Sequence, residues 1–247
     1  MALDLQADAI ISTVSVPEAQ PGRLDAVKGV IPDSGNVSGI EVRLSRLHIK
    51  DNHTPRIPPF PGYADLYLLV VVIDDQMQEP RTLTLDSFAR IDDNEDLPVD
   101  RTAYYWKQEQ PGQKPPSQVH VLVSVLKSKK GLRDTGKVLA AAQSSDTYKN
   151  LLTQVTSAII QAPTQTVGLI LQLGNVVGSL LTDVEDKTLF TQVVSFTDIN
   201  GDFDTLGKTP HQQENRYVAS TLNIIVRDTE REQAIAALSD AAPTPPA

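Results

Sequence analysis

Asp198, Asn200, Asp202 and Asp204 occupy alternate positions in the stretch SFTDINGDFDTLGK, from Ser195 to Lys208. Alternation in a tight loop lets side-chain oxygens converge while the intervening residues turn away, which is how a hard cation such as calcium is held. The same residue types also make an ordinary solvated turn, because Asp, Asn and Gly accept the backbone geometry that a reversal needs. Partners elsewhere in the chain decide between a calcium loop and an acidic turn.

The loop lies between two strand-like runs, Leu189 to Phe196 and Tyr217 to Val226. Earlier, IEVRLSRLHI (40–49) sets Ile40, Val42, Leu44, Leu47 and Ile49 mostly on alternate positions, the pattern of a half-buried strand. The run DLYLLVVVID from Asp65 is nearly continuously apolar, so it belongs at the centre of a sheet or is buried on both faces. Thr82 to Phe88 and AYYWK (103–107) read as weaker strands, and VHVLVSVL (119–126) as a strand with both faces covered. Then the period changes. Tyr148, Leu151, Leu152, Val155, Ala158 and Ile159 recur at helical spacing, with Ser145 or Asp146 as the cap and Pro163 as the stop. A second apolar stretch, Val167 to Leu181, completes a helical hairpin inserted over about 133–181. It falls short of the ~20 residues that span a bilayer, so no transmembrane segment is expected.

Residues 1–39 are broken by prolines and glycines and read as an extended amino-terminal arm. Residues 40–240 form a single β-rich domain around the insertion, and 241–247 form a disordered tail. At least six β segments with no βαβ alternation make an antiparallel β-sandwich the most economical fold class.

The 247 residues carry a net charge of -9, which disfavours nucleic acid and a bare anionic membrane as nonspecific partners. Contact with phosphate would need a bridging cation or a local basic patch. The absence of cysteine removes disulfides, thiol catalysis and cysteine-based zinc sites. The amino terminus lacks the basic and continuous apolar regions of a Sec signal, which leaves a cytoplasmic location as the default expectation. The four histidines are scattered, and no nucleophile elbow, histidine zinc motif or dinucleotide fingerprint occurs. The expectation is a protein that is not an enzyme.

The run from Ile40 to Val72 resembles the start of the calcium- and phospholipid-binding domain of the synaptotagmin and protein kinase C type, the C2 domain. A strand leads to a first loop opening with Asp51 in HIKDN, and Asp65 in ADLYLLV precedes a Tyr and an apolar strand. VSFTDINGDFDTLG resembles that family's third loop, with Asp198, Asn200, Asp204 and Gly207 in the matching places. The resemblance implies a calcium site built from Asp51, Asp65, Asp198, Asn200, Asp202 and Asp204, with both loops at one end of the sandwich. It also implies contact with phospholipid head groups or a protein partner. Departures are a Leu at position 66 where the family has Pro, a proline-rich insert in the first loop, and the helical insertion. VHVLVSVLKSKKGLRDTG is a rival for the third loop, with Lys127 and Lys129 where acids belong.

Other calcium loops fit less well, since an EF-hand wants Gly and Glu where this chain has Phe203 and Thr209. Two functional expectations follow. The first is a calcium-binding C2-like interaction module. The second is a structural subunit of an oligomer or larger assembly that uses the arm and the helical hairpin without metal.

Overall fold

The computed structural model describes residues 9–13, 37–57, 62–76, 80–128, 131–161, 163–181, 187–198 and 200–228. The strands are β1 (Ala9–Thr13), β2 (Gly39–Ile49), β3 (Ala64–Asp74), β4 (Thr82–Ile91), β5 (Glu95–Asp96), β6 (Arg101–Lys107), β7 (Gln118–Ser128), β8 (Lys187–Thr197), β9 (Gly207–Glu214) and β10 (Val218–Arg227). The first sheet runs β1-β8-β7-β3-β4 and the second β5-β2-β10-β9, with β6 also paired to β2. The two sheets pack as a β-sandwich. All pairings are antiparallel except β1 on β8, which is parallel.

Period-2 alternation explains the layers. In β3, Leu66, Leu68, Val70 and Val72 enter the core between the sheets, while Tyr67, Leu69, Val71 and Ile73 point the other way. In β7, Val119, Val121, Val123 and Val125 face inward, and Leu122 and Leu126 join the outer group. Helices α1 (Thr135–Ser144), α2 (Asp146–Gln161) and α3 (Pro163–Leu181) cover that outer face. The insertion therefore forms a third layer on the first sheet. In β2, Ser45 is an extra residue opposite the Thr221/Leu222 step, which is why Leu44 and Leu47 share one face despite their odd spacing.

The hairpin expectation is corrected to three helices. α1 buries only Val138 and Ala142, so its periodicity is faint in the sequence. Its start is set by Asp134, whose carboxylate accepts the Lys137 N–H at 3.2 Å. Ser145 ends α1 and caps α2, accepting the Tyr148 N–H at 3.2 Å. Pro163 opens α3 instead of merely stopping α2, since the first helical turn has no need of its missing N–H. Among the described residues, no helix is long and apolar enough to cross a membrane. Of the arm, Ala9–Thr13 forms a sheet strand, whereas residues 14–36 and the 241–247 tail lie outside the described residues.

Among the buried polar groups that interrupt the apolar layers, Gln192 and His120 carry testable consequences. Gln192 lies opposite Val123 on the face between the sheets, and neither of its amide atoms has a hydrogen-bond partner among the described residues. Leaving buried polar atoms unpaired costs about 1–3 kcal/mol. Gln192→Leu is accordingly expected to raise stability by about 1–3 kcal/mol in urea unfolding; a comparable loss would show that the amide is bonded in solution.

His120 lies on the helix-facing side, with Nδ1 2.8 Å from Ser195 Oγ. Burial pushes its imidazole down to about 4, so in acid the unfolded chain takes up a proton that the folded chain does not. This contribution to stability is complete above pH about 6.5 and is lost as pH falls to about 4. Over that window the native protein is expected to lose about 3 kcal/mol more than His120→Gln. Parallel pH profiles of chemical unfolding for the two proteins would contradict this.

Candidate functional site

The six residues expected to share a calcium site fall at opposite ends of the sandwich. Asp65 pairs with Ser128 at one end of β7, and Thr197, next to Asp198, pairs with Gln118 at the other. At ~3.3 Å per residue, the intervening strand separates them by about 33 Å. Asp51 stays with Asp65, because its N–H donates to the Tyr217 carbonyl just before β10, whereas Gly207 pairs with Val226 near the far end of β10. The two-loop site is not assembled. Among the described residues no group of three or more acidic or histidine side chains could hold a metal ion.

The Asp198–Asp204 segment folds as a self-bonded turn. Asp202 Oδ2 accepts the Thr197 N–H at 2.7 Å, the Asn200 N–H donates to Thr197 Oγ1 at 3.2 Å, and the Gly201 N–H donates to the Asp198 carbonyl at 2.9 Å. Gly201 has φ +72°, and a Cβ there would stand 2.9 Å from Asp204 Oδ2. Phe203 is buried and anchors the turn to the core. Desolvation raises the Asp202 carboxyl above its ordinary range. Of the four alternating side chains Asp202 serves the turn's own backbone, and Asp198 and Asp204 are exposed.

The other end is more highly built. Asn52 is fully buried and closes it. Its Nδ2 donates to the carbonyls of Gly62 (2.8 Å) and Ile91 (2.9 Å), and its Oδ1 accepts the Thr54 N–H at 2.8 Å. Its N–H donates to Asp93 Oδ1 at 2.8 Å, so one residue ties the first loop to the β4–β5 connection. Asp51 Oδ1 accepts the His53 N–H at 2.6 Å, and Asp65 Oδ1 accepts the Arg90 N–H at 3.0 Å. His53 and Arg90 both have φ +57°, a conformation uncommon for residues other than glycine. Each of these two carboxylates thus holds a left-handed backbone position.

Lys127 enters from the end of β7 and is 8% exposed. Its ammonium donates to the His53 carbonyl at 2.7 Å and to Thr54 Oγ1 at 2.6 Å. A lysine cation therefore sits inside the first loop. Around it opens a cleft of about 870 Å³ lined by Asp51, His53, Tyr63, Asp65, Arg90 and Lys187 among others. Sequence reading singled out Lys127 only as a residue standing where an acid belongs. Arg90 and Lys187 lie in separate segments with no motif around them, and of HIKDN the sequence singles out Asp51 and not its neighbour Asn52.

No family model matches the chain, and no curated protein matches it. Among solved structures it is similar to one described as "Structure of Drosophila C2-DSL-EGF1", at 8% identity over 76% of this chain and 67% of that one, with a TM-score of 0.30. A likeness of that size carries no argument about ancestry or activity.

Lys127→Met removes the donor for two part-buried oxygen acceptors. It is expected to lower stability by about 1–3 kcal/mol in chemical denaturation. An unchanged midpoint would show that water replaces the ammonium without cost.

Proposed function

We propose that this chain is a non-enzymatic interaction module, a β-sandwich that meets an anionic partner, a phospholipid head group or an acidic protein surface, through its Lys127 end without a bridging calcium ion. The observation that carries this reading is the Lys127 ammonium, held by His53 and Thr54 in the loop that also bears Asp51 and Asp65. A C2-like calcium site would gather acids from two loops around a divalent ion. Here the second set of acids is at the far end, and the first loop holds the Lys127 ammonium. Membership of the C2 family belongs to this reading as a proposal, resting on the sandwich and on the motifs around Asp51 and Asp65.

The reading as a non-enzyme draws on the same geometry. The Ser195–His120 pair is a serine bonded to an imidazole, but His120 is 1% exposed and lies under the helical layer. A nucleophile without access to substrate does no chemistry. The alternative of a structural subunit rested on the arm and the helices. Of these, Ala9–Thr13 pairs with β8 and the buried faces of the helices pack on the first sheet, while the rest of the arm up to residue 36 lies outside the described residues.

Co-sedimentation with vesicles containing anionic phospholipid, in chelator and in millimolar calcium, tests the proposal. Equal binding in both conditions, weakening as salt is raised, is expected. Binding that appears only with calcium would sink it. In parallel, calcium at roughly the weak limit of extracellular modules, about 0.1–1 mM, is expected to leave the thermal midpoint unchanged. A stabilising shift abolished by Asp198→Ala with Asp204→Ala would restore a calcium site to the single turn.

A further inference from the structure

The cleft beside Lys127 has a charge balance that narrows its ligand. Arg90, Lys127 and Lys187 supply three positive charges to its wall, and Asp51 and Asp65 supply two negative ones. Among the described residues one net positive charge is left, in a protein whose total is -9. Both carboxylates are engaged by backbone N–H groups, and Lys127 is engaged by the first loop. Arg90 and Lys187 have no carboxylate partner among the described residues. The Arg90 guanidinium lies 5.0 Å over the Tyr63 ring, and Lys187 Nζ lies 3.3 Å from His53 Nε2.

We infer that this cleft binds an organic monocarboxylate, with its carboxylate between Arg90 and Lys187 and its apolar body against Tyr63 and Pro55. A single negative charge neutralises the wall, whereas a dianion such as a phosphate monoester would leave an excess of negative charge beside Asp51 and Asp65. A guanidinium presents a planar fork matched to a carboxylate, and stacking on an aromatic ring holds that fork in place. Tyr63 is 39% exposed and adds a large apolar surface to the cleft wall. Recessed sites that combine apolar walls with a few placed polar groups are the usual form of small-molecule sites. The ordered backbone at Arg90, held in its left-handed conformation by Asp65, fixes the root of the arginine before a ligand arrives. The inference rests on the proposed reading of this end as the recognition surface, and it replaces an extended anionic surface with one protruding group.

Titration of the full chain with N-acetylphenylalanine, followed by amide chemical shifts, is the test. N-acetylphenylalanine amide, inorganic phosphate and anionic vesicles serve as separate arms. The acid is expected to bind at least tenfold more tightly than its amide, and Arg90→Gln with Lys187→Gln is expected to weaken it at least tenfold. Arg216→Gln, which removes a cation from the same end but outside the cleft wall, is expected to change binding less than twofold. Thermal midpoints within a few degrees of the native protein show that the variants are folded.

Equal affinity for acid and amide, no binding of either, or no effect of the double substitution would overturn the inference. Phosphate binding more tightly than the acid would overturn it in favour of a dianion site. Calcium-independent vesicle binding without carboxylate binding would overturn this inference while leaving the interaction module standing. Failure of both would remove both.

Discussion

The first sheet is apolar on both faces, and most of the architecture follows from covering each of them. β3 and β7 alternate between two sets of large side chains, Leu66, Leu68, Val70 and Val72 against Tyr67, Leu69, Val71 and Ile73. The second sheet covers one set. Burying an apolar side chain contributes about 1.5–3 kcal/mol, so the other set could not be left in water without a large penalty. α1, α2 and α3 answer that need from within the β7–β8 connection, placing a long insertion at the point of the chain nearest to the surface it must cover.

The same connection shapes the loop end. β7 ends in Lys127 and Ser128 as the chain leaves the sheet for the helices, and β8 begins with Lys187 as it returns. Those two lysines reach the first loop at the point where Asn52, Asp51 and Asp65 have already fixed the backbone. Local positive charge is concentrated there by topology, against the sign of the molecule as a whole. The acidic turn at 198–204 belongs to the other end of the same strand, where its carboxylate at Asp202 is used to order backbone N–H groups.

Much of the fold was legible because period-2 alternation is a direct consequence of burial. The both-faces-covered reading of DLYLLVVVID and VHVLVSVL is realised as the central pair of a three-layer structure. α1 was not legible, since a helix that buries two residues leaves almost no periodic trace. The site was misread for a different reason. Spacing within a segment reports local geometry, and Asp198 with Asp202 and Asp204 does share one turn. Whether that turn meets Asp51 depends on which ends of β7 the two loops adjoin, and no local pattern encodes that. Lys127 stands in the sequence where an acid belongs in the rival third loop, and the structure bonds it to oxygen acceptors of the first loop.

The parallel pairing of β1 with β8 has a consequence in time. Ala9 lies opposite Thr191, so nearly the whole described chain separates one partner from the other. At about 5–20 residues per second, β8 leaves the ribosome roughly ten to forty seconds after β1. Throughout that interval AIIST has no sheet to join, and the entropy of closing so long a loop makes its docking a late event. The strand that stands first in the described chain is thus among the last to be placed, and the β8 edge stays open until it is.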